Sequence, residues 1–230
     1  MPDHQSLTQR MHHLVNQWEQ CSDNRWVFLS CYTMMTENML TAIDAGGFID
    51  GGWVERLLHH FAGYYFRSLE DFERGDEDIP AVWGLAHHAA SRLNTGVMQN
   101  LLLGINAHIN YDLVLTLVDL LEPDWERLSQ GQIQQRYDDY CTVNDIIAET
   151  IDAVQDTVVE RVKPDMDLID RLFGPVDEWL ASQLINAWRE RVWRQALNML
   201  ESPNGGARER LRRAIEEATL QRSRSILLGV

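Results

Sequence analysis

Residues 97–121 restrict the fold of this chain more than any other stretch. They read Val97-Met98-Gln99-Asn100-Leu101-Leu102-Leu103-Gly104-Ile105-Asn106-Ala107-His108-Ile109-Asn110-Tyr111-Asp112-Leu113 and continue apolar to Leu121. As a helix this segment is apolar on nearly every side, so other elements must surround it. Those neighbours need one apolar face each. The remaining sequence supplies them: apolar residues recur at spacings of three and four, and no segment alternates as a strand does. The expected fold is all-α, a single-domain antiparallel bundle of seven or eight helices around a buried central helix, 97–121.

Breakers and caps divide the rest. Helix 1 spans about Ser6 to Cys21, and helix 2 about Asn24 to Ala45, ended by Gly46-Gly47. Asp50 offers an N-cap for a helix from Trp53 to Phe72. Pro80 opens helix 4, which runs to about Arg92, and Asn94-Thr95-Gly96 breaks the chain before the central helix. After Pro123 a long helix runs from Ser129 to Val162 and stops at Pro164. Helix 7 starts near Asp165 or Asp167, with a break at Gly174-Pro175. Pro203-Asn204-Gly205-Gly206 is a linker before a last helix, Arg208 to Leu227. Residues 1–202 therefore form the bundle. Residues 203–230 form a linker and a C-terminal helix, packed on the bundle or at an oligomer contact.

Composition excludes several classes of function. The chain has 230 residues, with 35 acids against 20 bases, for a formal net charge of -15. That balance argues against binding nucleic acid through phosphate neutralisation. No 18-residue run is purely apolar, so no membrane span is expected. Three cysteines without a Cys-x-x-Cys pair give no disulfide framework, and the N-terminus lacks a basic and apolar leader pattern, so a reducing cytoplasm is the expected location. Nucleotide-binding glycine loops and the nucleophile elbow are missing.

The chemistry therefore concentrates on the central helix. At about 100° per residue, His108 and Asp112 share one stripe, and Asn106 and Asn110 share the opposite one. Each pair enters a different side of the core, where every polar group needs a partner or costs about 1–3 kcal/mol. His108 and Asp112 could ligate a divalent ion (zinc, iron or manganese), or act as a base with its orienting carboxylate. Two doublets precede them, His59-His60 and His87-His88. If their helices meet the central one, His60 and His87 or His88 complete a metal set with His108 and Asp112. The alternative is a buried polar network. Asn144 lies on the inner stripe of the long helix and could join Asn106 or Asn110, with Tyr32 and Thr36 in a similar part. Asp138, Asp139 and Asp145 fall off that stripe, toward solvent.

The octapeptide Asn106-Ala107-His108-Ile109-Asn110-Tyr111-Asp112-Leu113, after Leu102-Leu103-Gly104-Ile105, resembles the signature of a bacterial family of unknown function common in actinobacteria. Tyr32 with Met35-Thr36, Gly47-Phe48-Ile49-Asp50 with Trp53, Phe61-Ala62 with Tyr64-Tyr65, Pro80 with Trp83, and Val143-Asn144 fit it too. The resemblance covers roughly residues 7–200. It implies the all-α fold and a shared site around the central helix, and no reaction. The His108-x-x-x-Asp112 spacing is also similar to that in helical zinc phospholipases and nucleases, whose following Pro-x-His is missing here.

Two functions remain. One is a metal-dependent hydrolase of an ester or phosphoester, with His108 and Asp112 at a metal-bound water. The other is a small-molecule or protein-binding bundle, its cavity lined by Tyr32, Phe61, Tyr64 and Trp83. The expected partners are a small molecule and a second copy of the chain through the C-terminal helix, with no nucleic acid and no membrane.

Overall fold

The computed structural model describes residues 4–92, 95–161 and 175–229, with side chains described outside 152–181. Among the described residues there are eight helices and no strands. They are α1 (His4–Gln20), α2 (Arg25–Asp44), α3 (Gly51–Arg74), α4 (Ala81–Ala90), α5 (Val97–Arg127), α6 (Gln130–Arg161), α7 (Pro175–Leu200) and α8 (Gly205–Leu228). The start expected for helix 7 near Asp165 or Asp167 lies outside the described residues.

Local chemistry sets the boundaries. The Asp50 side chain accepts from the Trp53 backbone N–H at 2.9 Å, satisfying one orphan donor at the start of α3. That cap lets the helix begin at Gly51, two residues before the apolar pattern does. Gly75, at φ +71°, closes α3 in the left-handed conformation. Ser129 and Gln132 cap α6 reciprocally, with the Ser129 N–H donating to Gln132 Oε1 at 2.9 Å. Asn204 accepts from the Ala207 N–H at 2.9 Å and starts α8. Asp139, expected toward solvent, is buried. It accepts from the Ile49 and Asp50 N–H groups at 2.7 and 2.9 Å and pins the loop before α3 to α6.

α5 is the central helix. Leu103, Ala107, Val114 and Leu117 are fully buried, and α2, α3, α4, α7 and α8 all pack on it. It is long and apolar enough to cross a membrane by length and composition, but 78% of its most apolar stretch is buried inside the protein. A Cβ on Gly104 would lie 2.4 Å from the Phe28 ring, so this glycine is what lets α2 approach α5 so closely.

The helix is not uniform. Residues Val97–Ala107 and Leu113–Leu121 are α-helical, but His108–Asp112 between them form a π turn, in which the Leu113 N–H donates to the His108 carbonyl. A 3₁₀ stretch, Glu122–Arg127, ends it. α8 lies against α4 and α5, burying Ile215, Thr219 and Ser223 there, so the thin apolar side of the C-terminal helix faces the bundle.

Candidate functional site

The π turn carries the expected pair. His108 Nδ1 and Asp112 Oδ2 are 2.9 Å apart, with the side chains only 3% and 1% exposed. Asp112 also accepts from Trp83 Nε1, at 3.1 Å to one oxygen and 2.9 Å to the other. The carboxyl group is thus held from two sides, and it holds the imidazole in turn.

The His108 ring sits among aromatics. It stacks on Phe61 with centroids 3.5 Å apart and planes 5° from parallel, and Tyr32 meets it edge-on at 4.5 Å. Its other nitrogen, Nε2, is buried and has no hydrogen-bond partner among the described residues, and the same holds for the Tyr32 hydroxyl. Burial pushes the His108 pKa well below its ordinary value and the Asp112 pKa well above. The Trp83 N–H pulls Asp112 the other way but does not reverse the direction. Both groups are driven toward their neutral forms. In that state one hydrogen lies between Asp112 and Nδ1, and Nε2 is a donor or an acceptor according to whether Asp112 or Nδ1 carries it. Tyr32 is likewise kept protonated by burial.

Both open atoms belong to residues that line a cavity of about 250 Å³ between α2, α3, α5, α6 and α7. Leu57, Leu101, Ile105, Ile147 and Trp188 are among its apolar walls, and Leu184, 46% exposed, also lines it. Most polar groups on the lining are already paired. Thr36 donates to the Tyr32 carbonyl at 2.8 Å and Thr150 to the Ile146 carbonyl at 2.6 Å. Burial pushes the Cys31 thiol up to about 12, so it stays protonated. Arg189 of α7, 5% exposed, lines the cavity as well.

The other expected residues separate. His60 pairs with Asp119 at 2.8 Å on the surface, and Tyr64 donates to the same carboxylate. His88 is exposed against Phe72. His87 is buried on the far side of Trp83, stacked on that indole at 5.2 Å, and its Nε2 has no partner. Among the described residues, the group of three potential metal ligands is His4, Glu55 and His59, between α1 and α3, and it contains neither His108 nor Asp112.

The expected buried network also splits. Asn110 Nδ2 donates to Asn106 Oδ1 at 3.0 Å, and Asn106 Nδ2 donates to the Thr219 carbonyl and to Ser223 Oγ, both at 2.9 Å. Asn144 does not join them; it accepts from Arg189 Nε at 2.6 Å. Thr36 donates to a carbonyl of its own helix, and among the described residues the Tyr32 hydroxyl has no hydrogen-bond partner. Of the residues expected to line a cavity, Tyr32 and Phe61 do so, while Tyr64 and Trp83 lie outside it.

Sequence reading missed Arg189. A signal was available: Ile185, Arg189, Val192 and Ala196 share one helical stripe, and the other three are buried, apolar and inward. An arginine on such a stripe is a buried cation.

A family model described as a family of unknown function (DUF5995) matches residues 5–229, which includes α8. No curated protein and no solved structure matches the chain.

Proposed function

The chain belongs to this family of unknown function, and on that premise we propose that it binds a small, mainly apolar molecule in the cavity beside the π turn. One observation carries the reading. His108 Nε2 and the Tyr32 hydroxyl are buried without partners, and both residues line an otherwise apolar cavity. A buried polar group left unsatisfied costs about 1–3 kcal/mol, and a bound molecule whose oxygen reaches either atom, after a small side-chain shift, removes that cost there. The pattern of apolar walls with a few convergent polar groups is that of small-molecule pockets. Asp112 and Trp83 fix the orientation of the imidazole before any ligand arrives, which reduces the entropy lost on binding.

The hydrolase reading has less support. General-base chemistry makes His108 an imidazolium, best stabilised by an ionised Asp112, and burial opposes both charges. A metal at the pair would need further ligands; His60 is paired with Asp119, His88 is exposed, His87 lies beyond Trp83, and the group of potential ligands among the described residues contains neither His108 nor Asp112.

Titration with a neutral apolar fluorophore, N-phenyl-1-naphthylamine, tests the proposal. Saturable one-to-one binding is expected, weakened at least tenfold by Ile105→Trp, which fills the cavity. Non-saturable binding, or binding indifferent to Ile105→Trp in a protein that keeps its helical circular dichroism, would remove it.

A further inference from the structure

We infer that the molecule held in the cavity is an amphiphile bearing a carboxylate, with its anionic group on Arg189 and its apolar body along the α3 and α5 walls. This rests on the cavity-binding reading and goes beyond it by naming the charge of the ligand.

Arg189 carries the argument. Its side chain is buried and lines the same cavity. Its partners are all uncharged: Nε donates to Asn144 Oδ1 at 2.6 Å, Nη2 donates to the Tyr140 carbonyl at 2.6 Å, and the guanidinium lies 4.1 Å from the Tyr140 ring centroid. Among the described residues no carboxylate pairs with it. Other partly shielded arginines differ. Arg25 pairs with Asp23 and Glu73, Arg136 with Asp50, and Arg212 with Glu209 and Glu216. Arg189 is more deeply buried than any of these, yet lacks their counter-charge.

A guanidinium stays charged at any ordinary pH, so it cannot relieve burial by losing its proton. An uncompensated buried charge is strongly destabilising, and a carboxylate brought into the cavity compensates it. The fork has five N–H donors, and the two bonds to Asn144 and Tyr140 hold its plane while using only part of that capacity. Carboxylates match the remaining donors in shape as well as charge. The walls are the second half of the argument. Leu57, Leu101, Ile105 and Ile147 offer nothing to a small hydrated anion, so the anion that suits this cavity brings an apolar chain with it. In a chain whose net charge is -15, a buried cation is the natural seat for such a group.

The test compares decanoate, decanol and decylamine as competitors of N-phenyl-1-naphthylamine, on the full chain and on Arg189→Gln. Decanoate is expected to displace the fluorophore at least tenfold more tightly than decanol, and decylamine least tightly. Arg189→Gln is expected to bring decanoate down to the level of decanol. Equal affinities for decanoate and decanol in the unmodified chain would overturn the inference and leave the cavity reading intact. Failure of all three to displace a bound fluorophore would overturn both, and failure of the fluorophore itself to bind would remove the cavity reading first. Because Arg189→Gln can unfold the chain, a second readout uses the unmodified protein: the carboxyl carbon resonance of carbon-13-labelled decanoate. Bound decanoate should stay ionised at a pH where free decanoate is protonated. A bound carboxyl that protonates at the same pH as the free acid, or higher, would overturn the pairing with Arg189.

Discussion

The two polar pairs of α5 share a spacing and a depth but not a fate. Asn106 and Asn110 look toward α8, and their hydrogen bonds close on it through the Thr219 carbonyl, Ser223 Oγ and Arg222 Nη1, the last at 3.3 Å from Asn106 Oδ1. His108 and Asp112 look the other way. Their bonds run inward to Trp83 and stop at Nε2, on a residue that lines the cavity. A closed network tends to specify one packing and gains little from a ligand. A network with an open end on a cavity has something to offer one. The difference separates structural polarity from the proposed binding site on a single helix, without reference to any relative.

Breaking the closed side should have the largest effect. Asn106→Leu leaves the Asn110 amide without its acceptor and removes three hydrogen bonds to α8, which is expected to cost about 3 kcal/mol. For a chain of this size that lowers the midpoint of thermal unfolding by roughly 6–12 °C. Affinity for N-phenyl-1-naphthylamine, measured below the transition, should stay within twofold. A tenfold loss of affinity in a folded Asn106→Leu protein would erase the distinction between the two sides. The open side should answer in the reverse way. His108→Gln keeps a polar side chain but loses the flat ring stacked on Phe61, so it is expected to cost about 1–2 kcal/mol in chemical denaturation. Ligand affinity should fall at least fivefold. A His108→Gln protein that binds normally would place the open end outside the site.

Much of this was legible in the sequence. The central position of 97–121 followed from apolarity on all sides, and the cap at Asp50 followed from residue type and spacing. The two polar pairs were legible because i and i+4 stay adjacent on either kind of helical turn. The π turn was not, since one inserted residue shifts the register after Leu113 without changing composition. Asp139 was misplaced because its partners are backbone N–H groups of a loop about ninety residues away, and periodicity carries no information about such contacts. The doublet histidines failed to gather for a related reason. The rotation of each helix about its axis decides which way His60 and His88 point, and that rotation is set by packing. Arg189 was missed because an arginine is ordinarily placed at the surface, although its stripe was apolar on both sides of it.

His87 provides the finest discrimination, because its Nε2 is open like that of His108 but lies off the cavity. Burial lowers its pKa to about 3. A histidine whose folded value lies below its unfolded value contributes stability above pH 6.5 and loses it as the pH falls. His108 acts with the same sign, its pKa also being lowered by burial. Asp112 acts with the opposite sign, because the folded protein keeps a proton that the unfolded chain has released above about pH 4. Between pH 5 and 6.5 the coupled pair therefore cancels, one proton against another. His87 is left as the net term, with a smaller contribution of the same sign from half-buried His59. Unfolding free energy should fall by about 1 kcal/mol from pH 6.5 to 5.5, a little under the limit of roughly 1.4 kcal/mol per pH unit for one proton. Urea unfolding of His87→Leu at the two pH values should remove most of that slope and leave fluorophore affinity unchanged. A slope as steep in His87→Leu as in the parent would assign the acid sensitivity to other groups. A loss of binding in that variant would mean that an open buried nitrogen near Trp83 matters to the ligand whether or not it faces the cavity, and the contrast between the two sides of α5 would lose its basis.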